Sequence, residues 1–229
     1  MSAAAVPDEI SLFPLHTVLF PGGLLPLRVF EPRYMEMVSA CLRGNEPFGV
    51  CLIREGREVG APAVPHSVGC LARIAQWDMQ QLGVLNIVAR GERRFRIVER
   101  SVQRDGLARA RIELLAEEGN EAVPEESEVG VRLLRALLNE GTDVGARVEE
   151  PFRFESASWV SARLAEILPL SPAMKQDLLE TDAGDRRLDK LCVVPGGVTC
   201  HSSRTVVATA LECHDRRRMQ WGDHNDACR

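Results

Sequence analysis

Between Glu117 and Glu126 the chain reads Glu-Glu-Gly-Asn-Glu-Ala-Val-Pro-Glu-Glu, and the spacing of apolar residues differs on its two sides. Before it, short apolar runs are cut by Gly, Pro and charged turns, as in β-strands; after it, apolar residues recur three and four apart, as on helices. A chain that changes period once, at an acidic stretch holding Gly and Pro, predicts an α+β protein with a domain boundary at that stretch. We therefore expect a β domain over residues 1–118, a helical bundle over 119–191, and a Cys-, His- and Arg-containing tail over 192–229. That tail loses the apolar periodicity and is expected to be poorly ordered.

Strands are predicted near Ile10 to Leu12, Leu24 to Phe30, Phe48 to Arg54, Gly69 to Gln80, Leu82 to Gly91, Arg94 to Gln103 and Leu107 to Ala116. The last alternates most clearly, with Ala108, Ala110, Ile112 and Leu114 on one face and Arg109, Arg111 and Glu113 on the other. One helix interrupts the β region from about Pro32 to Leu42, where Tyr34, Met37, Val38 and Cys41 share a face and Gly44 follows. In the second half, Val131, Leu134, Leu137 and Leu138 form a stripe ending at Gly141. Ser156 is placed to cap a helix carrying Val160, Leu164, Ile167 and Leu168, and Ser171-Pro172 opens another with Met174, Leu178 and Leu179 inward. Asp185 is expected to cap a last short helix through Leu188 and Leu191.

At 229 residues a chain buries about 70% of its unfolded surface, so neither disulfides nor metals are needed for folding. A net charge of -5 gives no overall attraction to nucleic acid or anionic membranes. Met1 to Glu9 lacks the basic start and apolar core of a secretory signal, and no apolar run is long enough to span a bilayer, which points to the cytosol. The seven cysteines are odd in number; Cys41, Cys51 and Cys70 sit among apolar neighbours and read as reduced, buried thiols.

Four stretches in order resemble the amino-terminal domain of the Lon protease family. They are Phe13 to Tyr34 with Phe20-Pro21-Gly22-Gly23 and Phe30-Glu31-Pro32-Arg33-Tyr34; Gly69 to Ile74; Ile87 to Ile97, similar to paired strands joined at an Arg-Gly turn; and Met174 to Glu180 followed by Arg187-Leu188. The resemblance runs from Ile10 to about Leu191. It implies a PUA-like, mostly antiparallel β-barrel with one crossover helix, followed by a small helical bundle, and a mainly structural role for the motif residues just named. It also implies a non-catalytic module that recognises unfolded or damaged polypeptides, or an adaptor to a separate ATPase or protease, with no cofactor. Candidate contacts for a bound chain are Trp77 and Met79 at a strand end, and Phe152, Phe154 and Trp159 at a helix entry; each is equally a core candidate.

The residues of an engine are not patterned here. An ATPase P-loop needs a lysine after a glycine-rich turn, and neither Lys175 nor Lys190 follows one. The nearest imitation of the Lon serine-lysine pair is Ser171 with Lys175, but Ser171 reads as a helix cap. His16 and His66 lie in turns without a patterned acid or nucleophile, and Glu92 with Glu99 or Glu31 reads as solvated ion pairing rather than an acid pair. Cys192, Cys200, His201, Cys213, His214, His224 and Cys228 are zinc-type ligands without Cys-x-x-Cys spacing, so no metal is expected. Arg90, Arg93, Arg94, Arg96 and Arg100 are the best case for the alternative function, an RNA-binding PUA-like module; adjacent acids and 5% aromatic content favour a solvated hairpin face instead.

Overall fold

Every strand pairing of the β region is made between residues 9 and 114, and the sheet they build closes on itself. The computed structural model describes residues 7–139 and 148–193. The strands are β1 (Glu9–Leu15), β2 (Leu24–Val29), β3 (Phe48–Glu55), β4 (Val64–Pro65), β5 (Val68–Gln81), β6 (Val84–Val102) and β7 (Ala108–Leu114). They lie in the order β1-β7-β6-β5-β3-β4, with β2 on β6. A parallel β1–β3 pairing completes the circle, while the other pairings are antiparallel. The helices are α1 (Pro32–Gly44), α2 (Glu128–Asn139) after a single 3-10 turn at Glu125–Ser127, α3 (Ala157–Ile167), α4 (Pro172–Glu180) and α5 (Gly184–Val193). This is the α+β class that the change of period predicts.

The curled sheet is buried on both faces. β1 sends Ile10 and Leu12 into one apolar cluster with Leu71, Phe95, Ala108 and Ala110, and sends Phe13 and Leu15 into a second with Tyr34, Met37 and Val38 of α1. Two-sided burial explains why β3 is continuously apolar from Phe48 to Ile53 instead of alternating. β7 covers a core on one face only and does alternate, with Ala108 and Ala110 buried and Arg111 and Glu113 exposed.

Two compact units result, and they do not divide the chain into two consecutive blocks. Unit 1 comprises residues 1–118 together with 172–182; unit 2 comprises 119–171 and 183–229. Helix α4, expected in the bundle, thus groups with the barrel. Its short length and its two buried leucines, Leu178 and Leu179, are helical by spacing, which says nothing about which surface receives them. Unit 2 buries Leu133, Leu134 and Leu137 of α2, Val160 and Leu164 of α3, and Leu188 and Leu191 of α5. Ser156 caps α3 as expected, its hydroxyl accepting from the Trp159 amide at 3.4 Å. Helix α5 begins at Gly184, two residues earlier than an Asp185 cap would give, so Asp185 lies inside its first turn instead of capping it. The tail beyond Val193 and its cysteines and histidines lie outside the described residues, as does the side chain of Cys192.

A further expectation is overturned. The run Ile87 to Ile97 is not two strands joined at Arg90-Gly91 but part of one 19-residue strand, β6, with Gly91 in the ladder opposite Ala72. Glycine is required there by close approach, since a Cβ at Gly91 would lie 2.2 Å from the Phe20 carbonyl oxygen. The amide of Gly22 donates to Gly91 O at 2.8 Å and that of Gly91 to Gly23 O at 2.9 Å, so the Phe20-Pro21-Gly22-Gly23 turn is stitched onto the middle of β6. The true reversal is Leu82-Gly83, between the paired residues Gln81 and Val84, with Gly83 at φ 82°.

Candidate functional site

The β5–β6 hairpin has strands of 14 and 19 residues, and β5 leaves its β3 partner at Ala72, so the stretch beyond carries apolar side chains that stay exposed. Register explains how they come to face outward. β5 carries an extra residue between Ile74, opposite Ala89, and Gln76, opposite Val88. This bulge shifts the phase of every later residue, so that Trp77 rather than Gln76 faces Ile87. Ile87 is 2% exposed and belongs to the α1-side cluster, whereas Trp77, opposite it on a stretch of β5 that β3 does not pair, is 60% exposed. Met79 is 44% and Leu82, at the turn, 95% exposed. Phe30 follows Val29, which pairs with Leu85, and at 52% exposure it joins the same end of unit 1. Of the seven large exposed apolar residues among the described residues, four therefore gather here; the others are Val59, Val98 and Val102.

Of the motif residues, Phe30 alone among the large apolar ones faces water. Phe20 is fully buried, and Tyr34 stacks on Phe13 with ring centroids 4.2 Å apart. Arg33 lies 4.7 Å over the Tyr34 ring, pairs with Glu31 at 2.9 Å and donates to the Gly106 carbonyl at 3.0 Å. Burial raises the Tyr34 hydroxyl pKa, against the opposing pull of Arg33. Glu31, Pro32, Arg33, Glu36, Gly60 and Asp105 line an open depression of about 230 Å³ whose guanidinium is already engaged by Glu31.

The second expected group behaves differently. In unit 2, Phe154 meets Phe152 and Trp159 edge to face while Phe152 and Trp159 are tilted, with centroids 5.4 to 6.1 Å apart, and all three are partly buried. The Arg135 guanidinium sits 3.9 Å over Phe154, so this trio is occupied with itself and one cation. Trp77 and Met79 are thus the expected contacts left open, and Phe30 and Leu82 are added by the structure. Leu82-Gly83 after Gln80-Gln81 was a legible turn signal; nothing local marked Phe30.

The acids and bases are accounted for pairwise. Glu31, Glu92 and Glu99 do not pair with one another: each faces its own arginine, Arg33 at 2.9 Å, Arg73 at 2.6 Å and Arg111 at 3.3 Å. The arginine group is dispersed. Arg94 is buried, Arg93 pairs with Glu117, Arg100 donates to the Ala63 carbonyl, and Arg90 and Arg96 are exposed. His16 is exposed and His66 half-buried. Cys41, Cys51 and Cys70 are buried free thiols, with burial pushing Cys41 up to about 11 and Cys51 to about 12. Among the described residues no three metal-ligand side chains converge, and no helix is long and apolar enough to cross a membrane.

Comparison with known proteins bears on the fold and the family. The model of the ATP-dependent protease La (LON) substrate-binding domain matches residues 9–194. A Lon protease of Paraburkholderia phytofirmans is 30% identical over 201 residues, covering 83% of this chain and 24% of that protein. Protein cereblon of Gallus gallus is 31% identical over 103 residues, 44% of this chain and 22% of that protein. The chain spans about a quarter of the length of the Lon proteases of Paraburkholderia phytofirmans and Methylocella silvestris that it matches. Among solved structures, a Lon N-terminal domain protein from Xanthomonas campestris superposes with TM-score 0.67 at 36% identity, covering 80% of this chain and 96% of that one. The N-terminal domain of a Mycobacterium avium complex Lon protease, at 21% identity and TM-score 0.55, shares the fold and covers 79% of this chain and 94% of that one. With the family model spanning both halves of the chain and the closed sheet beneath it, the protein belongs to the LON substrate-binding domain family.

Proposed function

We propose that this chain is a non-catalytic module that binds exposed apolar segments of unfolded or damaged polypeptides, through the far end of the β5–β6 hairpin with Phe30. The observation that carries the reading is the grouping of Phe30, Trp77, Met79 and Leu82 at one end of unit 1, each 44% exposed or more. Apolar side chains held open on a rigid hairpin gain by burial against any apolar partner, and such burial is weakly selective for sequence. A substrate-binding role for the family supports the same reading. The residues considered for catalysis lend it no support: Glu31, Glu92 and Glu99 each hold an arginine, and burial keeps the Cys41 and Cys51 thiols protonated. Processing of a captured substrate would fall to ATPase and protease groups outside these residues.

The test is binding of a reduced, alkylated protein that cannot refold, and of a mixed RNA pool, each at low and high salt. We expect polypeptide binding that persists or strengthens with salt, as apolar burial does, and that falls about tenfold in Trp77→Ser. Salt-sensitive RNA binding with no affinity for the unfolded chain would replace this reading with the nucleic-acid one.

A further inference from the structure

We propose that α4 is a latched strap, opening from unit 1 in a step separate from unfolding of the barrel, with Arg94 as the latch. The barrel is complete without it, since all strand pairings lie within residues 9–114, and α4 joins unit 1 from a position more than fifty residues later. Nine residues make a helix that is marginal alone, so its presence depends on docking. The apolar part of that docking is small, Leu178 and Leu179 being its buried apolar residues.

The polar part converges on one side chain. Arg94 of β6 is 3% exposed, and its Nη1 donates to the carbonyls of Leu179 at 2.8 Å and Thr181 at 2.9 Å. The last carbonyls of a helix have no partner within it and carry the negative end of its dipole, so a buried guanidinium is suited to them in both respects. The same guanidinium pairs with Glu118 at 3.2 Å and Asp182 at 3.6 Å. Glu118 and Asp182 are the last residues of the two segments that make up unit 1, so one cation fastens both places where the chain leaves it. At the middle of the helix, Gln176 Nε2 donates to the Val68 carbonyl of β5 at 3.0 Å. Removing Arg94 strands two carbonyls and a carboxylate at one stroke, while the strand ladder keeps its own bonds.

The chain supplies its own probe, because Lys175 within α4 and Lys190 in α5 are its two lysines. A lysine-specific protease cuts after Lys175 only when α4 opens, so cleavage of the full chain there reads the strap. In Arg94→Met we expect cleavage after Lys175 to accelerate about a hundredfold, with amide exchange in β5 and β6 unchanged and cleavage after Lys190 unaltered. Gln176→Ala, which touches only the strap side, should accelerate it about tenfold, and it decides the matter should Arg94→Met not fold. Cleavage that stays constant in Gln176→Ala, or that rises only in step with exchange of the β5 and β6 amides, overturns the proposal.

Discussion

The hairpin end of unit 1 and the aromatic trio of unit 2 are built from the same kinds of residue and come out opposite. Trp77 and Met79 stand open to water, whereas Phe152, Phe154 and Trp159 fold onto one another beneath Arg135. The cause is what lies beside each group. Trp77 shares a face with buried Ile87 but lies on a stretch of β5 that β3, paired with it only through Ala72, no longer flanks. The trio is short in sequence and its three rings reach each other without help from elsewhere. Aromatic content alone therefore does not distinguish a contact surface from a small core; the local register and the neighbours do.

The hairpin's exposure depends on β6 running unbroken through Gly91, and the largest effect is expected there. Gly91→Ala drives a methyl group into the Phe20 carbonyl and should cost about 3 kcal/mol in chemical denaturation of the barrel. A neutral result would mean the Phe20 to Gly23 turn is not fixed on the strand. Next, Trp159→Ala should destabilise unit 2 by about 2 kcal/mol, read by amide exchange in α3, and leave polypeptide affinity alone. If it spared stability and abolished binding, the contrast between the two groups would be reversed.

The converse substitutions sharpen the contrast from the other side. Trp77→Ser together with Leu82→Ser should weaken capture of an unfolded protein by more than the roughly tenfold of Trp77→Ser alone, while shifting stability by less than about 0.5 kcal/mol. Stability falling in parallel with affinity would place these side chains in the core after all. The thiols give a pH test of burial within unit 1. Folding raises the pKa of Cys51 from its ordinary 9.0 to about 12, so its stabilising contribution is complete below pH 9 and is lost as pH climbs toward 12. Peptide-resolved alkylation at pH 8 should accordingly mark Cys51 and Cys41 only after denaturation; rapid labelling of the native protein would contradict their burial. The smallest effect belongs to the exposed Glu99–Arg111 pair, where Glu99→Gln should change stability by less than about 0.5 kcal/mol.

Much of this architecture was legible in the residues because it follows from local rules. The boundary at Glu118 coincides with a change of apolar period, the alternation of β7 marks a strand covered on one side, and Ser156 announces the start of α3. Candidate contacts were only half legible. Trp77 and Met79 were named from a strand end and prove exposed, but Phe30 sat in a motif read as structural, and its exposure follows from where β2 stops against β6. Arg-Gly at Arg90-Gly91 read as a turn because glycine permits one; here it marks instead a carbonyl 2.2 Å from where a Cβ would stand.

What the amino-acid order determined by itself was the kind of each element, since period, caps and turn dipeptides act over three to ten residues. Which surfaces those elements met was decided only in three dimensions. Helix α4 shows this most plainly: its spacing makes it a helix anywhere, but a buried guanidinium some eighty residues earlier, holding the carbonyls of Leu179 and Thr181, assigns it to the barrel. Contacts so distant in sequence leave no periodic trace, because each depends on the register of a strand and the reach of one side chain rather than on any repeating pattern.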